Sequence, residues 1–227
     1  MPLQPKTPSP TAAVEDYAKA IYALSHDGRD PVSTTSLAER LGVTPASASA
    51  MVKRLDEMGL ARHAPYHGVE LTERGSQLAL EIIRHHRLLE LYLTETLGLP
   101  WDRVHDEAEV LEHVLSEELE ELIAVKLGDP QRDPHGDPIP TRELEIVEIP
   151  TDTLASLEPG ACGRFVRISD SDPDMLRYLA ERGIAPGSDF EIVEKQPFGG
   201  PSFARFGAAV HVLGGELAGR MRVEVQR

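Results

Sequence analysis

The 227 residues include one cysteine, one tryptophan and only 5% aromatic residues, and bases are outnumbered, 23 Lys+Arg against 38 Asp+Glu. Each scarcity excludes something. The lone Cys162 cannot close an internal disulfide, so a disulfide scaffold is ruled out and a reducing compartment suits the chain. No apolar run approaches the roughly 18 residues that span a bilayer. The opening MPLQPKTPSPTAA also lacks the basic-then-apolar order of a signal peptide. A cytoplasmic chain with no membrane partner is expected. Walker loop, nucleophile elbow and dinucleotide fingerprint are missing, which leaves no motif for an enzyme and no small-molecule substrate to assign.

A net charge of −15 argues at first against nucleic acid, because phosphate binding runs on Lys and Arg. The distribution changes that. Residues 14–75 hold 7 Lys+Arg against 9 Asp+Glu, whereas residues 76–145 hold 6 against 17, so the acidity is concentrated where it would attract cations.

The prolines at positions 2, 5, 8 and 10 cannot sustain a helix, so residues 1–13 read as a tail and order is expected from Val14. Tyr17, Ala20, Ile21 and Leu24 then form a helical stripe, ended by the polar HDGRD. A short helix from Thr35 to Leu41, a turn at Gly42, and a helix capped by Thr44 and opened by Pro45 follow. Leu37, Leu41, Val43, Ala48, Val52 and Leu55 point to one shared core, which is the helix-turn-helix pattern. After Leu60 and Ala61, the turn PYHG and VELTERG complete a two-stranded wing, and residues 14–75 form a winged helix. Thr35, Thr44, Pro45, Ala46, Ser47, Ser49, Ala50 and Lys53 are the candidate DNA contacts. Small side chains let the helix approach closely, hydroxyls reach phosphates and methyls touch thymine. An αα-hairpin with no ligand is the alternative.

Residues 76–145 are expected to hold two helices, from Gln77 to Gly98 and along VHDEAEVLEHVLSEELEELI, with a core stripe of Ala108, Leu111, Leu115 and Leu122. His86 and Glu90, four apart, share a face of the first. His105, Glu109, Glu112 and His113 fall within an arc of about 100° on the second. A solvated acidic face is the ordinary reading of a Glu-rich helix. Two His–Glu groups on adjacent helices instead favour a divalent metal, because crowded carboxylates resist ionisation without a compensating cation. The Glu-x-x-His pairs from two helices that di-iron enzymes use are not present.

Residues 146–152 read as a linker. In residues 153–227, GRFVRI, DFEIVE, AAVHVL and MRVEVQ are short apolar runs between turns, with a helix in DPDMLRYLAERG, and they predict a small SH3-type β fold. The fold class is therefore mainly α with β.

The winged helix followed by HRLLE, VHDEAEVLEH, DPHGDPIP and a β-rich C-terminal segment is similar to the diphtheria toxin repressor family in its three-domain, manganese-responsive type. The resemblance covers nearly all of the chain after residue 13. It implies a homodimer that binds double-stranded operator DNA when a divalent metal is bound, and a last domain like the ferrous-iron-transport accessory proteins. It also implies a principal metal site of Asp16, Glu109, Glu112 and His113. Iron-type members carry Met and Cys where this chain has Asp16 and Glu109, and the harder oxygen donors imply Mn²⁺, with Fe²⁺ or other divalent transition metals as alternatives. Lys19 departs from the Glu of the two-domain manganese regulators, which puts their closely spaced two-metal cluster in doubt. An ancillary site is implied from His86, Glu90 and His105, joined by Asp133, His135 and Asp172. Asp133 and His135 read equally as part of a Pro/Gly-rich loop, Asp172 equally as a helix start, and His86 is open between the two sites. A winged-helix regulator sensing a small organic ligand is the remaining alternative.

Overall fold

The computed structural model describes residues 11–25, 30–64 and 67–226. The first ten residues of the expected tail, residues 26–29 of the HDGRD turn and residues 65–66 of the wing turn lie outside the described residues. The chain forms two compact units, one of residues up to 85 with 142–145, the other of residues 86–141 with 146–227.

In the first unit, α1 (Ala12–Leu24) starts two residues before Val14 and buries Val14, Tyr17, Ala18, Ala20 and Ile21. Leu24, placed on that stripe by its spacing, is 38% exposed because the helix ends there. α2 (Thr34–Arg40) is capped by the Ser33 hydroxyl, which accepts from the Ser36 amide at 3.0 Å. α3 (Pro45–Glu57) is capped by Thr44, whose hydroxyl accepts from the Ser47 amide at 3.1 Å, with Pro45 in the first turn where no amide hydrogen is needed. Leu37, Ala48, Val52 and Leu55 are fully buried between these helices, while Val43, at the turn, is exposed. β1 (Ala61–Ala64) and β2 (Gly68–Leu71) form the wing, and Val32 adds a bridge to Val69 through paired 2.9 Å hydrogen bonds.

α4 (Glu73–Leu97) begins four residues before Gln77. The acidic segment after it is two helices rather than one, α5 (Val104–Leu111) and α6 (Glu117–Lys126). α5 ends at Leu111, and Ser116, with extended backbone and its hydroxyl accepting from the Leu119 amide, starts the next helix. The break resets the helical phase. Ala108, Ile123 and Ala124 are buried and Leu115 packs at their edge, but Leu111 and Leu122 are exposed, contrary to the single-helix stripe.

The C-terminal part is a six-stranded antiparallel sheet in the order β3-β8-β4-β5-β6-β7, formed by β3 (Asp152–Thr153), β4 (Cys162–Arg167), β5 (Asp189–Lys195), β6 (Ser202–Phe206), β7 (Ala209–Leu213) and β8 (Arg222–Val225). α7 (Pro173–Ala180) and α8 (Gly215–Arg220) complete a core that includes Leu154, Phe165, Leu176, Leu179 and Ile192. Within the described residues, β6 and α8 have no counterpart in the sequence expectation. No helix there is long and apolar enough to cross a membrane.

The loop 133–138 lies against β4. His135 offers its carbonyl to the Ile168 amide at 2.9 Å, and Gly136, at φ +87°, comes so close that a Cβ would sit 1.8 Å from the Val166 carbonyl oxygen. Gly136→Ala is therefore expected to cost about 2–3 kcal/mol through backbone strain and overpacking. Thermal unfolding followed by circular dichroism measures it, and an unshifted midpoint would show that the loop can leave β4 without cost.

Candidate metal centre

In the second unit, α4 places His86 and Glu90 one turn apart on its buried face, and Glu90 has no exposed surface. α5 brings His105 to them. His86 Nε2 stands 3.1 Å from Glu90 Oε1 and 3.2 Å from His105 Nδ1, and His105 Nδ1 lies 3.5 Å from the same Glu90 oxygen. Asp170, just beyond β4, closes the group with Oδ2 2.9 Å from His105 Nδ1. On the other side of His86, Nδ1 is 2.5 Å from Glu112 Oε2 and 3.9 Å from Glu109 Oε1. His113 follows Glu112, with Nε2 3.7 Å from Glu112 Oε1. Asp16 is half-buried on α1, in the first unit.

The loop carries a second approach to Glu90. Asp133 Oδ1 accepts from the His135 and Asp137 amides at 2.8 and 2.9 Å, which folds the loop around its own carboxylate. His135 Nε2 donates to the Trp101 carbonyl at 2.8 Å, leaving Nδ1 to face Glu90 Oε2 at 3.5 Å. Arg87 reaches Asp133, Asp137 and the Pro138 carbonyl, and Arg167 pairs with Asp137 at 2.7 Å.

Asp172 is not in this cluster. Its Oδ1 accepts from the Met175 amide at 3.1 Å and caps α7, and Pro173 fixes the start of that helix. Asp170 takes the place expected of Asp172. The Asp-Pro pair was itself the legible signal, since a cap residue followed by proline at the first helical position leaves the side chain occupied.

Electrostatics follow from the crowding. Burial alone would raise Glu90, but the imidazoles of His105, His135 and His86 hold its carboxyl well below the usual range. His105 is pushed up to about 10, first by Asp170 and then by Glu90. Burial works against His135 carrying charge, yet Glu90 and Asp133 bring it to about 9. Asp133 rises to about 8, through burial first and then the charges of Asp137 and Glu90.

These groups fit a divalent cation on two observations. Neither Glu90 oxygen nor His135 Nδ1 makes a hydrogen bond of good geometry, although all three atoms are buried. In addition, donors bound at right angles to an ion at about 2.1–2.3 Å lie about 3.0–3.3 Å apart, and the triangle of His86 Nε2, Glu90 Oε1 and His105 Nδ1 has edges of 3.1, 3.2 and 3.5 Å. Cys162 is exposed in β4 and belongs to none of these groups.

In the winged helix, Thr35, Thr44, Pro45, Ala46, Ser47, Ser49, Ala50 and Lys53 are all exposed. They cover the start of α2 and the outer side of α3, while Ala48, Val52 and Leu55 occupy the inner side.

Comparison with known proteins agrees with this layout. The family model for the iron dependent repressor N-terminal DNA binding domain matches residues 10–69, that for the iron dependent repressor metal binding and dimerisation domain matches 72–141, and the FeoA domain model matches 153–225. The iron-dependent repressor IdeR of Mycobacterium tuberculosis is 33% identical over 225 residues, which is 92% of this chain and 96% of the relative. The diphtheria toxin repressor of Corynebacterium diphtheriae is 32% identical over 222 residues, covering 92% and 96%. Among solved structures, a manganese-dependent transcriptional repressor in complex with manganese superposes with a TM-score of 0.84 at 42% identity, over 94% of this chain and 100% of that one.

A winged helix, a metal-binding and dimerisation domain and an SH3-like domain in that order define a metal-dependent transcriptional repressor. The chain belongs to the iron-dependent repressor family, whose relatives include IdeR and the diphtheria toxin repressor. Membership sets aside the enzyme and organic-ligand readings.

The proton on His105 stabilises the metal-free fold fully below its unfolded value of about 6.5, and that contribution is lost as pH rises through about 10. Ligands must be deprotonated, so if His105 and His135 hold a divalent ion, its binding at neutral pH would displace protons from both. Mn²⁺ titrated calorimetrically at pH 7.5 in buffers of different ionisation enthalpy should release about one to two protons per chain. Equal enthalpies in all buffers would show that both imidazoles were already neutral.

Proposed function

We propose that the protein is a homodimeric, Mn²⁺-responsive repressor that binds operator DNA in the cytoplasm and controls manganese homeostasis. The observation that carries the metal preference is the donor set. Every candidate ligand is a carboxylate or an imidazole, with Asp16 and Glu109 where iron-type relatives have thioether and thiolate. Hard oxygen donors suit Mn²⁺, the weakest binder of the first-row series, which must be selected by donor type and geometry. Solved relatives described as manganese-dependent support the same reading, while the IdeR relatives make Fe²⁺ the second one.

Two sites are assigned. Asp16, Glu109, Glu112 and His113 would hold the principal ion, on the strength of the family resemblance. His86, Glu90, His105 and Asp170, with His135 and Asp133 adjoining, would hold the ancillary one. When bound, the ion supplies positive charge that offsets the mutual repulsion of the carboxylates. Asp16 then ties α1 to the acidic helices, and the ensemble of winged-helix positions narrows toward the one the operator requires. A coupling of about 1–3 kcal/mol per site, doubled in a dimer, would raise DNA affinity from tens-fold to about ten-thousandfold.

The exposed face of α3 would enter the major groove, with Thr44 and Ser47 near phosphates and Lys53 adding charge. The dimer interface falls to the apolar side chains left exposed around the α5–α6 break, where Val110 is 70%, Val114 77%, Leu122 59% and Val125 58% exposed.

DNA titrations at fixed ionic strength should show Mn²⁺ strengthening operator binding at least tenfold, and equal affinities with and without metal would overturn the switch. Asp16→Met with Glu109→Cys should shift the ratio of activating Mn²⁺ and Co²⁺ concentrations toward Co²⁺, measured anaerobically; an unchanged ratio would place selectivity elsewhere. Val114→Glu with Leu122→Glu should convert the dimer to monomer in sedimentation velocity, and a persistent dimer would move the interface off this face.

A further inference from the structure

We propose that the cavity beside Trp101 binds a zwitterion with an apolar body, a free apolar amino acid or a short apolar peptide, and that its occupant acts on the Glu90 cluster. The site itself stands apart from the metal reading; only its effect on the cluster rests on that reading. Such a ligand acts beside the metal and not in its place.

The cavity has a volume of about 630 Å³, within the range that holds a small ligand. It lies wholly in the second unit, where the end of α4 meets residues 130–134 and the turn after α7 at Ala185 and Pro186. Leu91, Leu99, Trp101, Leu127, Pro130 and Pro186 give it apolar walls, which suit an apolar body. Three polar side chains interrupt them. Thr94 Oγ1 is buried with no hydrogen-bond partner among the described residues, a costly state for a hydroxyl that a polar group on a ligand relieves.

Glu95 and Arg132 bring opposite charges to the same cavity, yet among the described residues neither has an ion-pair partner. Arg132 gives one N–H to the Gly136 carbonyl at 2.6 Å and keeps the rest of its donor fork for a carboxylate. An anion alone would meet the repulsion of Glu95, and a cation alone that of Arg132. A ligand that carries both charges answers both residues, and this is what selects a zwitterion.

Trp101 joins the cavity to the Glu90 cluster. Its carbonyl accepts from His135 Nε2 at 2.8 Å, and its indole stacks on that imidazole with ring centroids 5.7 Å apart and planes 26° from parallel. Asp133 and Pro134, on the loop that carries His135, line the cavity as well. An occupant packed against them restrains the ring and loop that adjoin Glu90, and whatever it adds to metal affinity the metal returns to it.

Trp101 is the single tryptophan of the chain, so its emission reports occupancy directly. Full-length, metal-free protein is titrated with L-phenylalanine and with L-leucyl-L-phenylalanine, and calorimetry counts the sites. At least one probe should saturate at one per chain, and which of them does so separates the amino acid from the peptide. The N-acetylated amide of that probe, which lacks both charges, should bind at least about tenfold more weakly. Thr94→Val should weaken the probe about two- to tenfold through the lost hydrogen bond. Glu95→Lys should exchange the preference toward the desamino analogue, phenylpropionate in the case of phenylalanine, and that gain also shows the variant to be folded. No saturable change with either probe, or binding that both variants leave unaltered, would overturn the site. With the cavity filled, Mn²⁺ should bind at least about fivefold more tightly; an unmoved Mn²⁺ titration would overturn the effect on the cluster. Operator binding is measured separately: a raised Mn²⁺ affinity that leaves DNA binding untouched would refute the repressor switch and not the cavity.

Discussion

Glu90 has no surface in contact with solvent and sits at the meeting point of three segments. A buried ionised carboxylate is costly unless it is compensated. Here three imidazoles surround it, from α4, α5 and the 133–138 loop, and they keep it ionised, with His105 and His135 held more readily protonated in return. That arrangement is tense. Protonated imidazoles are adequate partners for a carboxylate, yet they leave both Glu90 oxygens without a well-aligned hydrogen bond. A divalent cation held by such donors would meet the same charge with directional bonds. Much of the second unit serves to keep these segments converged, including the Asp133 turn, the Trp101 carbonyl on His135 and the Arg87–Asp137–Arg167 chain.

How much of this was legible in the sequence differs by feature, for physical reasons. The winged helix was read almost residue by residue because its signals are local: Thr44 and Pro45 mark a helix start, Gly42 a turn, and burial follows the 3.6-residue period. The middle helices were read as two rather than three. Ser116 lies in an unbroken run of helix formers, and its capping role competes with propensities that favour continuing. Spacing marked His86 with Glu90 on one helix and His105 on the next, and the family resemblance joined them, but the fourth member, Asp170, depends on contact across more than sixty residues of sequence, and spacing carries no information at that range. β6 escaped notice because Ser202, Arg205 and the small Ala204 dilute its apolar pattern, although its alternation of buried and exposed positions is regular in the sheet.

The exposed apolar side chains of α6 follow from the same break at Ser116. Leu111 already turns outward within α5, and a continuous helix would have placed Leu122 on the face of Ala108. Leu122 and Val125 are instead exposed, alongside Val110 and Val114. The helix that Ser116 starts thus takes a new phase, which buries Ile123 and Ala124 and leaves Leu122 and Val125 exposed.

Asp170 also has a consequence for synthesis. Three of the four members of this group, His86, Glu90 and His105, lie within the first half of the chain, and the fourth is translated 65 residues after His105. A nascent chain displaying its winged helix and acidic helices has not yet acquired this carboxylate, which lies beyond β4. The ancillary cluster is complete only when the C-terminal sheet has begun to form. Its assembly therefore reports that translation has passed into the third domain, and a ribosome that stalls before Asp170 releases a polypeptide whose His105 lacks its partner carboxylate.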